Sequence, residues 1–249
     1  MSETGHTAHN PLAQFEVHPL VPFRLGHFDL SFTNASLWMV IALGVITLLM
    51  FQGVRNRSLV PNRWQSFSET MVQFVANTVD GATNGHGMKY FPLIFSLFMF
   101  VLTANLMGMV PYSFTVTSHI IVTFALAICI FTSCTLIALI KHGPAKFLHF
   151  FLPEGVPLIM APLMFFIELL SYLARPVTLS VRLAANMMAG HTMLKVIAGF
   201  VIMLGILGGW LPFALLVVLT GFEIGIAVLQ AYIFTVLTCV YLNDALHLH

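Results

Sequence analysis

Hydrophobic positions run in long unbroken stretches along this chain, and the polar interruptions divide it into helices. Residues 37–54 are almost wholly apolar over a length that crosses a bilayer, and Arg55, Arg57 and Arg63 follow at once. Residues 64–79 change character. Trp64, Phe67, Met71, Phe74, Val75 and Val79 recur at helical spacing while Ser66, Glu69, Gln73 and Asn77 fill other positions, which predicts an amphipathic helix on the membrane surface. After a Gly- and Asn-bearing turn at 81–87, residues 91–110 and 119–140 predict a transmembrane hairpin. The segment joining its arms, 111–118, carries no Lys or Arg.

The last third breaks this scale. Residues 158–199 and 212–246 predict two helices that, at about 1.5 Å per residue, run roughly 60 and 50 Å. A hydrocarbon core is about 30 Å thick, so the two do not both stand upright. A steep tilt, a kink at Pro176 or a partly horizontal course each accommodates the excess. The pattern predicts one membrane domain over residues 1–249 and an all-α integral membrane fold. Its parts are an N-terminal arm (1–30), a first span (37–54), a surface amphipathic helix (64–79), a hairpin (91–140) and a long tilted helical hairpin (158–246). No internal repeat and no inverted pair of Gly/Pro-broken helices of the secondary-transporter kind is present in the sequence.

Composition agrees: 59% of the 249 residues are hydrophobic and 8% charged, against about 25% charged in soluble domains. The formal net charge of +1 offers no nucleic-acid footprint. Cys129, Cys134 and Cys239 sit in apolar helical stretches without metal-ligand spacing, so they read as packing residues, and neither a metal nor a cofactor is expected. The N-terminal arm lacks the basic start and apolar run of a signal peptide, so the first span is expected to be retained. Arg55, Arg57, Arg63, Lys89, Lys141 and Lys146 all fall on one side of the five spans, with Arg24 alone on the other. Positive charge marks the cytoplasm, which puts the N-terminus outside and the C-terminus inside.

Against this background the charges within the long helices are conspicuous, since each costs about 2.5 to 3.5 kcal/mol at the bilayer centre. Glu168, Arg175 and Arg182 are seven apart, a step that rotates by only about 20° on a helix, and Asn186 follows one turn later. His191 falls on roughly the opposite side, with Lys195 one turn beyond. On the second long helix Glu223, Gln230 and Tyr241 share an azimuth. An antiparallel fold about Gly208, Gly209 and Pro212 levels three pairs: Arg182 with Gln230, His191 with Glu223, and Glu168 with Asp244.

Isolated Asn, Gln and Tyr side chains commonly serve as interhelical glue, and Lys195 and Arg175 are placed to snorkel. Arg182 is different. It is central, permanently protonated, and has no acid one turn away, so it implies a partner in another chain. His191 and Glu223 suit either a structural ion pair or proton relay.

The run Arg175-Pro-Val-Thr-Leu-Ser-Val-Arg182-Leu-Ala-Ala-Asn186-Met-Met-Ala-Gly190-His191 strongly resembles the signature of subunit a of rotary ATP synthases. Asn105-Leu-Met-Gly-Met-Val-Pro111 and the stretch 223–241, with Gln230-Ala-Tyr-Ile-Phe, resemble the same family, so the likeness covers the chain from about residue 30. The resemblance implies a proton-channel stator without ATP chemistry of its own. Arg182 matches the family's essential arginine, which faces the carboxylates of a rotating c-ring. Asn186 and Gln230 match polar residues near it, His191 and Glu223 the outer half-channel, and Glu168 the acid of the cytoplasmic one. Asp244 joins that mouth through the register above.

The His191/Glu223 arrangement is the mitochondrial-like one, which implies an alphaproteobacterial relative. Implied partners are the c-ring, peripheral-stalk b-type subunits and the lipid bilayer. The implied location is the bacterial inner membrane or, alternatively, the mitochondrial one. The lack of an extra carboxylate cluster favours H⁺ over Na⁺. Two rivals remain at this level: a secondary transporter with its own carboxylate beside Arg182, and an assembly subunit with no proton path.

Overall fold

In the computed structural model, residues 19–21, 24–25, 28–29, 31–55, 60–110, 113–149 and 160–246 are described. Arg57, Pro111 and the first eighteen residues, on which parts of the sequence argument fall, lie outside them, as do the side chains of Arg24 and Lys146. Six helices dominate: α1 (Asn34–Arg55), α2 (Arg63–Thr83), α3 (Phe91–Gly108), α4 (Ile120–His149), α5 (Ala161–Gly208) and α6 (Trp210–Leu246). Before them come two minimal antiparallel ladders. β1 (Pro19–Val21) pairs with β4 (Phe32–Thr33), and β2 (Arg24–Leu25) pairs with β3 (Phe28–Asp29). The polar, Pro-containing composition of the arm does not announce these pairings.

Among the described residues, five helices are long and apolar enough to cross a membrane: Asn34–Arg55, Met88–Gly108, Ile120–Pro144, Ala161–Gly205 and Trp210–Leu246. The all-α membrane fold expected from the sequence is therefore the observed one. α2 is the exception in character. The Asn62 side chain caps its start by accepting from the Arg63 N–H at 2.7 Å, and Asn84 ends it in the left-handed region at φ 49°. Its apolar positions divide. Val75 and Val79 are fully buried against the bundle, while Trp64, Phe67 and Phe74 stay exposed. One helix thus serves the core and the surrounding medium at once.

α6 is the axis of the molecule, packing against α2, α3, α4 and α5. Its inward positions are mostly small: Ala227, Ala231, Thr235, Thr238 and Ala245 are buried together with Phe234 and Leu242. Lipid tails are as apolar as leucine, so helices associate in membranes through close packing, and small side chains permit that approach. The core adds Ile94, Val101 and Leu102 of α3, Ala127 and Ile130 of α4, and Leu179 and Leu183 of α5.

α4 is interrupted at Gly143, where φ is 78° and the helical hydrogen-bond ladder breaks before Pro144. α5 runs helically through Pro176, so the sequence's candidate kink is not a break, and its non-helical residue is Gly205 at φ 62°, ψ −161°. The helix thus outlasts the expected end at residue 199, because Gly199 lowers helix propensity without adopting a terminating conformation. Gly205 lets the chain reverse into α6, whose Pro212 sits in the first turn where its missing N–H is harmless. The 45 residues to Gly205 and the 37 of α6 span about 68 and 56 Å, well beyond an upright crossing.

Candidate functional site

The seam between α5 and α6 brings their polar residues together. His191 and Glu223 are 8% and 4% exposed, and imidazole Nδ1 lies 3.6 Å from Glu223 Oε1. The other ring nitrogen, Nε2, is 3.2 Å from the Thr115 hydroxyl. The imidazole therefore stands between a hydroxyl within hydrogen-bond distance and a carboxylate just beyond it, with one ring nitrogen facing each. Gly190 makes the carboxylate's position possible. A β-carbon there would stand 2.5 Å from Glu223 Oε1 and 2.9 Å from its carboxyl carbon, so any larger residue displaces the acid.

Neither carboxylate oxygen of Glu223 has a hydrogen-bond partner among the described residues, although both are buried. Thr117 Oγ1, His119 Nε2, Asn105 Oδ1 and Gln230 Nε2 are likewise buried and unsatisfied. An unsatisfied buried polar group costs about 1–3 kcal/mol, and a set of them favours ordered water. A cavity of about 250 Å³ opens beside the pair, lined by Asn186, Ala189, Gly190, Met193, Phe222 and Glu223 among others.

One turn along, Asn186 donates from Nδ2 to Gln230 Oε1 at 2.9 Å. Asn105 of α3 donates to the Ala227 carbonyl at 3.2 Å and ties this part of α6 to a third helix. Arg182 lies exposed on the outer side of α5 and, among the described residues, makes no hydrogen bond or ion pair. Ala185 and Ala189 flank it on the same exposed side. Glu168 is half-buried and likewise without a hydrogen bond or ion pair among the described residues. The sequence register set Asp244 level with Glu168; in the structure Asp244 pairs with Arg175, two turns further along α5, Nη1 to Oδ2 at 2.8 Å. Lys195 is exposed.

Thr115, Thr117, Ser118 and His119 are absent from the sequence-derived site. They lie in and around a 3₁₀ turn, Val116–Ser118, between α3 and α4. A run of four hydroxyl- or imidazole-bearing residues interrupted only by Val116, where the hairpin's two arms join, was the available signal. Phe114, Thr115, Val116, Thr117 and Ser118 are all buried, with Phe114 stacked on the His119 ring at 4.9 Å.

A multi-span helical protein with a buried acid–imidazole pair beside a mostly apolar cavity, and an arginine on its outer face unpaired among the described residues, is the class these features define. The family model described as "ATP synthase A chain" matches residues 36–243. ATP synthase subunit a of Pelagibacter ubique is 55% identical over 243 residues, covering 97% of this chain and 99% of the relative. The protein of the same name from Parvibaculum lavamentivorans is 53% identical, covering 96% and 94%, and that from Rhodospirillum rubrum 52%, covering 97% and 100%. The chain belongs to the ATP synthase A chain family.

Proposed function

We propose that this chain is the proton-conducting stator of an ATP synthase in a bacterial inner membrane, with its N-terminus outside and its C-terminus in the cytoplasm. A proton enters past Thr115, His191 and Glu223 and neutralises a carboxylate on a rotating c-ring. It rides nearly a full turn and leaves past Glu168 into the cytoplasm. Arg182 separates the two routes: its fixed charge draws each arriving ring carboxylate into the ionised form and repels a proton moving directly between the half-channels. One elementary charge falling through 100 mV yields about 2.3 kcal/mol, and the stator converts this work into torque because the ring is the only through route. Asn186 and Gln230, joined by their hydrogen bond, hold the ground between Arg182 and the His191/Glu223 pair.

Arg182 carries the reading. A guanidinium on the exterior of a membrane chain, with no counter-charge of its own, calls for an acid supplied by another subunit. A secondary transporter would keep that acid within the chain, and none of the described acids pairs with Arg182. Purification of the tagged chain in mild detergent tests the class. Co-purification with a ring of small two-helix proteins, alongside b-type stalk subunits, is the expected result. Recovery of the chain alone under conditions that keep the ATP synthase intact would reject the stator assignment.

A further inference from the structure

The guanidinium of Arg175 has three partners at once. Its carbon lies 5.5 Å from the centre of the Tyr172 ring and 5.2 Å from that of Tyr241, and Nη1 reaches Asp244 Oδ2 at 2.8 Å. The Tyr172 hydroxyl is in turn 2.7 Å from the Thr135 hydroxyl of α4, and the Tyr172 ring packs on Phe131 at 4.7 Å. Nearby, Lys141 Nζ and His142 Nε2 reach the carbonyl of Leu246 at 3.0 and 3.2 Å. Three helices that are joined only through long connections or a distant turn are therefore tied at one end by a single cation and its neighbours.

We infer that Arg175 is a positioning residue that locks the cytoplasmic ends of α4, α5 and α6 through Asp244, Tyr172 and Tyr241, and so holds the mouth of the exit route in register. The inference rests on the proposed stator function and extends it to a residue that touches neither the ring nor the entry pair. Its physical basis is geometric. A guanidinium is flat, so it can stack against aromatic faces while its edge donates to a carboxylate, and an ammonium offers no comparable flat edge. α5 and α6 are long helices that meet at Gly205, far from this end, and a small rotation at that turn becomes a large displacement at the mouth. Arg175 and Asp244 lie 22% and 37% exposed, inside the seam yet reachable by water, where a pair in good geometry constrains orientation more than it adds stability.

The test uses the complete ATP synthase in inverted membrane vesicles, with ATP-driven proton pumping and the amount of this chain measured together. Arg175→Gln and Asp244→Asn are each expected to lower pumping per assembled complex roughly three- to tenfold. Arg175→Lys is expected to fall between wild type and Arg175→Gln. The decisive variant is the exchange, Arg175→Asp with Asp244→Arg, which restores the pair and is expected to pump better than either exchanged residue alone. If the single variants fail to assemble, the exchange is expected to recover the amount of chain in the membrane. No recovery by the exchange in either readout, or wild-type pumping by Arg175→Gln, would overturn the clamp. Arg182 is intact in all these variants, so failure of the stator function itself would show separately, as normal coupling after loss of Arg182.

Discussion

Replacing Arg182 with alanine is expected to abolish both ATP synthesis and ATP-driven proton pumping while leaving the chain assembled. The side chain is exposed on α5 and makes no hydrogen bond or ion pair with the described residues, so its removal breaks none of these. What it removes is the positive charge that favours an ionised ring carboxylate and bars protons from crossing directly. Passive proton conductance of the membrane sector alone should therefore stay level or rise. Arg182→Lys should also impair coupling, since an ammonium is more strongly hydrated and loses its proton more readily when desolvated. Normal ATP synthesis by the alanine variant in energised vesicles would eliminate the charge barrier as the mechanism.

The second large effect is expected at the entry pair. Glu223→Gln keeps the shape of the acid but cannot accept a proton, and His191→Ala removes the imidazole that stands between Glu223 and Thr115. Each should lower coupled ATP synthesis by about a hundredfold, at the lower end of what a positioned proton-transfer group contributes. Because the two stand in series, the double variant should be little worse than the more severe single one, in contrast to independent sites. Proton flux retained at wild-type level after loss of both would instead favour an assembly subunit whose path lies elsewhere.

Most of the architecture follows from hydrophobic patterning, because in lipid every backbone polar group must be satisfied within its own segment and apolar runs of spanning length leave only helices. The first span, expected over residues 37–54, is α1 at Asn34–Arg55, and the final helix ends at Leu246 as expected. The turn between α5 and α6 is harder to place. Four glycines between residues 199 and 209 punctuate that region, and only backbone conformation distinguishes Gly205 as the break.

The site divides in the same way. His191 with Glu223 is legible because two titratable groups at matching depth in an antiparallel hairpin have little choice but to meet. Asp244 is not, since its partner depends on how α5 rotates and slides against α6, and a shift of a few residues exchanges Glu168 for Arg175. The buried hydroxyls around Thr115 have no period to betray them. Their burial comes from α3 and α5 closing over a 3₁₀ turn, a tertiary effect that local sequence does not encode.

Two aqueous routes that open to opposite sides and meet only through the ring are distinguished from any single continuous path by side-specific thiol labelling. In the assembled complex, with Cys129, Cys134 and Cys239 replaced by serine or alanine, single cysteines are placed at positions 223 and 168. A membrane-impermeant, water-soluble thiol reagent is then applied from one face at a time. The cysteine at 223 is expected to react from the outer face alone and the cysteine at 168 from the cytoplasmic face alone. Labelling of both positions from the same face would contradict this separation of routes.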